Sequence, residues 1–325
     1  MSQFFIKTPW FLLGVFLCLT TSCEEELLPP VLSQTQRQPQ LEPKEGPASP
    51  AGEIRFLSYN LKNWLTMTRL QKDGSRLERK KPEAEKAAVV SLITSARPDI
   101  LGLCEIGTPA DLSELQSRLK SAGLDLPFTH HTGGYDNTRF LAMLSRFPIA
   151  RELSKDRLTF SLDGKTWQMR RGLLHTVLNL PGGPTHFLGT HFKSKRESRS
   201  YDQALFRLNE ALLTREQALK IQERQPEARI LIYGDFNDTR RSPTLSRLKG
   251  RRNSSHYFED LELRDSRGEF WTHFWSYQHQ YSRFDYLLAS KALKPHLNLE
   301  SSYIVDRDDW YAASDHRALL LVLRN

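Results

Sequence analysis

This chain contains the stretch Leu231-Ile232-Tyr233-Gly234-Asp235-Phe236-Asn237-Asp238, in which an apolar run stops at a glycine and a carboxylate and a carboxamide follow. The run that begins at Arg229 is typical of a short buried strand, and Gly234 permits a turn that a side chain would obstruct. Asp235 and Asn237 are two residues apart, so we expect their side chains to project to the same side of the strand end. Together they could bind a divalent cation, a water molecule or a phosphoryl oxygen, although this pattern alone is more commonly an Asx turn.

Other apolar runs also carry polar residues at their ends, which favours a functional site over a simple turn. These residues are Asn60, Glu105, His191, Asp285, Asp315 and His316, next to apolar runs at 54–60, 100–104, 185–191, 284–289 and 318–323. Helical patterns alternate with the runs: one begins after Pro82, one follows a capping box at 108–111, and one carries leucines at 205, 208, 212 and 219. This order predicts an α/β protein with its site along one sheet edge.

Composition favours one large globular domain with anionic partners. The chain has 325 residues, of which 39% are hydrophobic, so residues 53–325 can form one catalytic domain. Its 46 basic and 38 acidic residues give a formal net charge of +8, which favours nucleic acid or phosphorylated ligands. Cys18 and Cys23 lie in the N-terminal leader, so Cys104 is alone in the mature domain, where we expect a core thiol and no intramolecular disulfide.

The N-terminal segment predicts export and a lipid anchor. Residues 1–22 read as a signal peptide, because the apolar run at 10–19 is too short to span a bilayer. Leu19-Thr20-Thr21-Ser22-Cys23 resembles a bacterial lipobox, with ordinary secretory cleavage as the alternative. Residues 23–52 are rich in Pro, Gln and Glu and are predicted to be a lipidated N-terminus followed by a disordered tether. We therefore expect a lipoprotein anchored to a membrane through Cys23, facing the periplasm or the cell exterior.

The strand-end residues supply what hydrolysis of a phosphodiester requires. The reaction needs a divalent metal at the phosphoryl oxygens, a base for the attacking water, stabilisation of the pentavalent state and help for the leaving oxygen. Carboxylate and amide oxygens without a cysteine predict a hard ion, with Mg²⁺ first and Mn²⁺ or Ca²⁺ as alternatives, because zinc would favour His or Cys clusters.

Seven segments in their order along the chain resemble the endonuclease/exonuclease/phosphatase superfamily, which includes deoxyribonuclease I, exonuclease III-type repair enzymes, neutral sphingomyelinases and inositol polyphosphate 5-phosphatases. They are Ser58-Tyr59-Asn60, Leu103-Cys104-Glu105, Leu144-Ser145-Arg146-Phe147-Pro148-Ile149, Gly189-Thr190-His191-Phe192-Lys193-Ser194, Gly234-Asp235-Phe236-Asn237-Asp238, Arg283-Phe284-Asp285-Tyr286 and Ser314-Asp315-His316. The resemblance covers residues 54–325. It implies a four-layer α/β sandwich in which two facing mixed β-sheets are flanked by helices.

The resemblance also implies roles at the metal and at the attacking water. Glu105 resembles the principal metal carboxylate of the family, with Asn60 and Asp315 close to the metal. Asp235 resembles the residue that orients or deprotonates the water. Two positions after Asn60, where repair-type nucleases often carry an acidic residue, this chain has Lys62. That departure argues against a two-metal scheme.

The remaining roles concern the phosphate and a histidine–carboxylate pair. His191 and Asn237 resemble groups that bind the scissile phosphate. His316 resembles the second catalytic histidine, and Asp285 resembles the carboxylate that holds its ring in one tautomer. Arg139 and Lys193 are further candidates for binding the substrate phosphate.

Three other features are open to two interpretations. The basic segment 66–82 could be a loop over the site or a solvated run of charges. The aromatic residues between 270 and 277 could be a stacking platform for bases, but packing beneath the strand that carries Asp285 is the expected arrangement. His175 and His186 lie inside alternating strands and are expected to be core or pairing residues.

We expect a metal-dependent phosphodiesterase, acting outside the cytoplasm as a nuclease of low sequence specificity on DNA or RNA. A phosphomonoesterase or a sphingomyelinase-like lipid hydrolase of the same superfamily is the second hypothesis, since one catalytic core serves all three. A non-catalytic surface binding protein is the third. The sequence predicts no protein partner, and we expect a monomer.

Overall fold

A computed structural model of the protein describes residues 52–71 and 73–324. The predicted signal peptide, Cys23 and all of the predicted tether except Gly52 lie outside the described residues. Within the part of the chain that is described, no helix is both long enough and apolar enough to cross a membrane.

The strands and helices alternate along the described chain. The strands are β1 (Glu53–Trp64), β2 (Met67–Leu70), β3 (Arg76–Arg79), β4 (Ile100–Ile106), β5 (Phe128–Thr132), β6 (Phe140–Ser145), β7 (Ile149–Glu152), β8 (Thr159–Leu162), β9 (Lys165–Gln168), β10 (Leu174–Leu180), β11 (Gly183–His191), β12 (Arg229–Asp235), β13 (Phe258–Asp260), β14 (His273–Trp275), β15 (Gln280–Ser282), β16 (Asp285–Ser290), β17 (Leu297–Ile304) and β18 (Leu319–Arg324). The helices are α1 (Glu83–Ala96), α2 (Pro109–Ser121), α3 (Gln203–Arg224), α4 (Pro243–Lys249) and α5 (Trp310–Ala313), with short 3₁₀ helices at Ser276–Gln278 and Lys294–His296.

Two six-stranded mixed sheets form the centre of the molecule. The first has the strand order β17-β18-β1-β4-β6-β5 and the second has the order β13-β16-β12-β11-β10-β7. Within them β1 pairs with β4 and β11 pairs with β12 in parallel, and the other neighbours are antiparallel. The predicted fold class, two facing mixed sheets flanked by helices, is confirmed.

Alternation along the strands builds the layers, because successive side chains of a strand point to opposite faces. On β1, Phe56 packs in the core shared by the two sheets, whereas Leu57 packs beneath α1 and α2. On β12, Leu231 packs in the shared core, whereas Ile232 packs with side chains of α3 and α4. Cys104 also lies in the shared core, as expected for a structural thiol. Both sheets are therefore buried on both faces, which explains their nearly continuous apolar sequences.

Tyr233 spans the space between the sheets. A Cβ added at Gly102 would lie 2.2 Å from the Tyr233 ring, and one added at Gly189 would lie 2.6 Å from its hydroxyl. Its ring also meets Phe56 edge-on, with 4.9 Å between ring centroids. The two glycines therefore make room for a large side chain that stands two residues before Asp235.

Helix α3 does not bury the leucines that it carries. Leu205 and Leu212 are exposed, while smaller or polar residues such as Ala211 and Ala218 are buried. A long helix over a sheet packs closely through small side chains, and this overrides the simple leucine pattern. The segment 66–82 is not a plain loop either, since it contains the β2–β3 hairpin.

Candidate active site

Strand alternation brings the predicted site residues to one end of the space between the sheets. Asp235 follows Leu231 and Tyr233 at two-residue steps, and those two side chains lie in the shared core. The same spacing applies to Asn60 on β1 and Asp285 on β16, which continue the core-facing sides of their strands. One sheet supplies Asn60 and the other supplies Asp235 and Asp285.

Glu105 reaches this place through a distortion of β4. Alternation alone would turn it toward the helices, because Leu103 packs beneath them. Its backbone instead has a φ of 62°, in the left-handed region, and the β4–β6 register shifts between Cys104 and Ile106. A bulge of this kind redirects one side chain. As a result Oε1 of Glu105 lies 3.9 Å from Nε2 of His191.

The carboxylate of Asp235 is the centre of the site. Its Oδ2 accepts hydrogen bonds from Nδ2 of Asn60 at 3.0 Å and from Nδ2 of Asn237 at 3.1 Å. The same oxygen lies 3.4 Å from Nε2 of His191 and 3.8 Å from Nε2 of His316. Its Oδ1 accepts the backbone N–H of Asn237 at 2.9 Å. Four side chains from separate segments therefore converge on one buried carboxylate.

Asn237 is positioned differently from its predicted role. Its amide nitrogen donates both to Oδ2 of Asp235 and to the backbone carbonyl of Phe192, each at 3.1 Å. Because an amide nitrogen carries two hydrogens, both donors are engaged with the protein. Asn237 thus holds Asp235 in place, and its predicted contact with the phosphate would require one of these bonds to open.

His316 and Asp285 form the expected pair, with 2.8 Å between Nδ1 of the ring and Oδ2 of the carboxylate. Two hydroxyl residues support the pair: Thr272, which the sequence interpretation missed, and Ser314, to which it gave no role. The hydroxyl of buried Thr272 accepts the backbone N–H of Asp285 at 2.9 Å, and the hydroxyl of Ser314 accepts the backbone N–H of His316 at 3.1 Å. Ser314 also donates to the backbone carbonyl of Asn60 at 2.8 Å, which joins the last motif to the first.

Burial and neighbouring charges separate the protonation states of these groups. Burial raises the pKa of Asp235 to about 7, with Asp285 adding to the rise and His316 opposing it. Burial alone would lower the pKa of His316, but Asp285 and Asp235 outweigh it and raise that pKa to about 10. Burial and the positive charge of Arg171 lower the pKa of His191 well below its usual value. Near neutral pH the site therefore holds a charged His316 and a neutral His191 on either side of Asp235.

Two sets of residues could hold a metal ion. Asp235, Asp285 and His316 are buried and offer ligand atoms within 4.8 Å of one another. Their close contacts, however, are hydrogen bonds: Nδ1 of His316 is bonded to Asp285, and Oδ2 of Asp235 receives two amide donors. The ligand atoms of these three residues are therefore used mainly in hydrogen bonds, which favours a role in proton transfer over metal binding.

The predicted ligands Asn60, Glu105 and Asp315 form the second set. Glu105 keeps Oε2 on the backbone N–H of Asn63 at 2.9 Å, while Oε1 lies 4.0 Å from Nε of Arg139, beyond hydrogen-bond length. Glu105 and Asp315 are partly exposed, whereas Asn60 is buried. Carboxylate and amide oxygens of this kind have the chemistry that a hard divalent cation prefers.

The two candidate phosphate-binding cations differ in placement. Arg139 lies beside Glu105, at the 4.0 Å separation given above. Lys193 is buried, and its ammonium donates to two backbone carbonyls of its own loop at 2.8 and 2.9 Å. Binding of the substrate phosphate by Lys193 would therefore require its ammonium to leave these carbonyls. Lys195 is the exposed lysine of this loop, with Nζ 3.4 Å from Oδ1 of Asp238.

The basic hairpin β2–β3 is attached next to Glu105. Nη2 of Arg69 donates to the backbone carbonyl of Asn63 at 2.9 Å, and Asn63 is the residue whose N–H binds Glu105. At the other end of the hairpin, buried Lys81 donates to the backbone carbonyl of Lys62 at 3.1 Å. The hairpin therefore holds the turn at 62–65 that follows Asn60.

The aromatic segment is also placed differently from expectation. Phe270, Trp275 and Tyr277 are 48%, 46% and 74% exposed, so they do not pack beneath the Asp285 strand. Hairpin β14–β15, which contains Trp275, lies beside the site instead, since its first residue His273 pairs with His316. By contrast, His175 and His186 form a buried pair with 2.9 Å between ring nitrogens, as expected for pairing residues.

Comparisons with known proteins agree with this architecture. The sequence profile of the Endonuclease/Exonuclease/phosphatase family matches residues 71–316. A comparison with curated protein sequences gives no match. Similar solved structures include truncated TDP2 from Caenorhabditis elegans, with 18% identity over 84% of this chain and 98% of that chain and a TM-score of 0.55.

Two further solved structures with a similar fold are of differently named proteins. Sphingomyelinase C from Streptomyces griseocarneus has 14% identity over 84% of this chain and 99% of that chain, with a TM-score of 0.53. The human Nocturnin catalytic domain with a bound sulfate anion has 18% identity over 83% of this chain and 93% of that chain, with a TM-score of 0.56. At these identities the likeness shows the fold alone.

Replacing Asp285 by Asn tests the charge distribution of the site. Asp285 is the largest contribution that raises the pKa of His316, so in Asp285→Asn the imidazole should titrate at lower pH than in the unmodified chain. NMR titration of the His316 ring, assigned through His316→Gln, measures this shift. An unchanged titration would mean that Asp285 does not hold the proton on this ring.

Proposed function

We propose that this chain, which belongs to the Endonuclease/Exonuclease/phosphatase family, is a divalent-metal-dependent phosphodiesterase that acts on nucleic acid. Members of this family are hydrolases of phosphoester bonds, and they generally use divalent metal ions. The observation that carries the proposal is the convergence of Asn60, His191, Asn237 and His316 on the Asp235 carboxylate, beside the oxygens of Glu105. That arrangement brings together a base for water and charged or polar donors for a phosphate.

Asp235 is suited to accept the proton of an attacking water. With its pKa raised to about 7, it is a stronger base than an ordinary carboxylate and is still substantially ionised near neutral pH. Two amide donors on Oδ2 and one backbone N–H on Oδ1 fix the orientation of the carboxylate, so the proton would go to a lone pair that these donors leave free. Asp235 therefore has both the geometry and the basicity of a general base.

His316 is suited to bind the phosphate. Asp285 holds its Nδ1, so in the protonated ring Nε2–H is directed toward the Asp235 side of the cleft. A charged donor there would bind a phosphoryl oxygen and stabilise the negative charge that develops in the pentavalent state. Asp235 and His316 would then act on opposite partners of the reaction, the water and the phosphate.

Asn60, Glu105 and Asp315 would hold the metal, for which Mg²⁺ is the proposed ion and Mn²⁺ or Ca²⁺ the alternatives. A divalent ion at this place would polarise a phosphoryl oxygen and offset its charge. The left-handed backbone at Glu105 is consistent with this role, because strained conformations persist where the surrounding structure holds a functional side chain.

Glu105→Gln should abolish metal-dependent hydrolysis, because the amide keeps the shape of the side chain and removes its charge. We expect a loss on the order of a hundredfold or more, together with weaker Mg²⁺ binding by calorimetry. The assay panel is plasmid DNA, RNA, sphingomyelin and inositol phosphates, with exposed Glu300→Gln as the matched control. Unchanged Mg²⁺ affinity in Glu105→Gln would refute the metal assignment, and turnover of only a lipid or a phosphomonoester would refute the nuclease assignment.

A polymeric substrate should depend on Lys195, the exposed cation that follows the strand of His191. Lys195→Glu should raise KM for a long oligonucleotide more than for a small diester, because only the polymer carries phosphates beyond the scissile one. The log-log salt slope of oligonucleotide binding should also become shallower by more than about 1, since the new carboxylate repels phosphate as well. Lys291→Glu, at the far end of β16, is the control. Equal effects on both substrates would contradict a polymer track at this rim.

For localisation, the signal-peptide pattern at 1–22 and the lipobox-like Leu19–Cys23 support export and anchoring through a lipid on Cys23. Cys23→Ser should move the protein from the membrane fraction to the soluble fraction, because the acylated residue is removed. Fractionation followed by immunoblotting measures this change. If the variant still sediments with membranes, the anchor is not a lipid on Cys23.

A further inference from the structure

Five aromatic side chains beside the site form a closed ring, which we call the aromatic platform. Its members are Trp271, Phe274, Tyr281, Trp310 and Tyr311. Successive centroid distances around the ring are 4.7 Å (Trp271–Tyr281), 4.6 Å (Tyr281–Phe274), 5.6 Å (Phe274–Tyr311), 5.2 Å (Tyr311–Trp310) and 5.2 Å (Trp310–Trp271). Mutual contact on this scale holds the rings in defined orientations. The platform is nevertheless not a core, because Tyr281 is 55% and Tyr311 is 38% exposed.

The platform is joined directly to the site. The backbone N–H of Phe274 donates to the backbone carbonyl of Asp315 at 2.9 Å. The preceding residue, His273, pairs with His316 in an isolated bridge, and their ring centroids lie 4.6 Å apart. Tyr311 stands four residues before Asp315 on the same short segment. A ligand on the platform would therefore lie next to a phosphate held at His316.

A cation connects the platform to the other side of the site. Nζ of Lys62 lies 5.2 Å from the centroid of the Tyr311 ring, and Lys62 is two residues after Asn60. Its backbone N–H also donates to Oδ1 of Asn60 at 3.0 Å. Aromatic rings beside a cation that lies over one of them suit a ligand that alternates flat apolar groups with negative charges. A nucleic acid strand has that alternation of bases and phosphates.

The composition of the hairpin distinguishes this ligand from a lipid surface. The hairpin sequence His273-Phe274-Trp275-Ser276-Tyr277-Gln278-His279-Gln280-Tyr281-Ser282 contains no Leu, Ile, Val or Met. Segments that bind a membrane interface combine Trp and Phe with aliphatic residues such as Leu. In this hairpin the aromatic rings alternate instead with amide, imidazole and hydroxyl groups. Those polar groups can form hydrogen bonds to the edges of bases that stack on the rings.

We propose that the aromatic platform binds an unpaired nucleobase next to the scissile phosphate, so that the substrate is a single-stranded or frayed nucleic acid. In a duplex the face of each base is covered by its neighbours, and only an unpaired or end base can offer its face to a tyrosine ring. Stacking is tolerant of sequence, because every base has such a face. This proposal rests on the proposed function and specifies the substrate of the same site.

The test compares strands that have the same phosphates and differ in their bases. Fluorescence anisotropy of the full chain, with EDTA to prevent cleavage, measures Kd for a labelled ten-nucleotide single strand, for an abasic strand of equal length and for a duplex. We expect the base-bearing single strand to bind most tightly. Tyr281→Ala and Tyr311→Ala should each weaken its binding by about tenfold and leave the abasic strand almost unchanged.

Two kinds of control substitution accompany these variants: Tyr→Phe changes that keep the ring, and an alanine change away from the platform. Tyr281→Phe and Tyr311→Phe should bind like the unmodified chain, because the ring is retained, and Phe128→Ala should have no effect, because Phe128 pairs at the opposite end of the first sheet. Equal Kd for base-bearing and abasic strands would overturn the proposal. The proposal would also be overturned if the alanine variants lost affinity equally for both strands. It would likewise be overturned if these variants lost binding to sphingomyelin–phosphatidylcholine vesicles and kept oligonucleotide binding.

The outcome separates this proposal from the proposed function. Base-dependent binding without cleavage in Mg²⁺ would support the platform and refute the nuclease. Cleavage of strands with no dependence on bases would refute the platform and leave the nuclease standing.

Discussion

The buried Asp235 carboxylate is the constraint on which the rest of the site depends. Moving a carboxylate out of water costs several kcal/mol unless hydrogen bonds and opposite charge compensate. Here two amide donors, a backbone N–H and the nearby His316 provide that compensation. Asn237 provides two of these contacts locally, but Asn60 and His316 are distant in the sequence, so the carboxylate acquires its full environment only when both sheets are assembled. The hydrogen bonds around Asp235 therefore form only when the chain folds, so folding also forms the site.

The space between the sheets is set by side chains that stand directly behind the site. Tyr233 lies against two positions where only glycine leaves room, and it is two residues from Asp235 on the same face of β12. Because protein interiors are closely packed, a change in this ring would be transmitted along β12 to the carboxylate. The core thus determines how far Asn60 on one sheet lies from Asp235 on the other. The core therefore contributes to function by setting the distance between these two side chains.

Most of the fold and the membership of the site could be predicted from the sequence, because two-residue alternation is a local property. Asn60, Asp235 and Asp285 continue apolar faces that can be recognised without coordinates. The orientation of Glu105 could not be predicted, since it depends on a bulge paired with β6. The burial of Lys193 likewise depends on carbonyls of a loop whose path no local pattern specifies. Thr272 escaped notice because a single threonine carries no signal until its hydroxyl meets the backbone of Asp285.

Contacts to one phosphate and one water cannot distinguish a nucleic acid from a lipid, because both would present the same diester to Asp235 and His316 in their proposed roles. Discrimination must come from groups that touch the rest of the substrate. In this chain two hairpins lie beside the site, and hydrogen bonds link each of them to a proposed metal ligand, through a side chain of β2–β3 and through the backbone of β14–β15. Hairpin β2–β3 holds Asn63, which binds Glu105, and hairpin β14–β15 binds the carbonyl of Asp315. Binding energy from remote parts of a substrate can be used to position the reacting groups. A strand that engages both hairpins would therefore act on the two carboxylates that are proposed to hold the ion, so that substrate selection and assembly of the reactive centre are physically coupled.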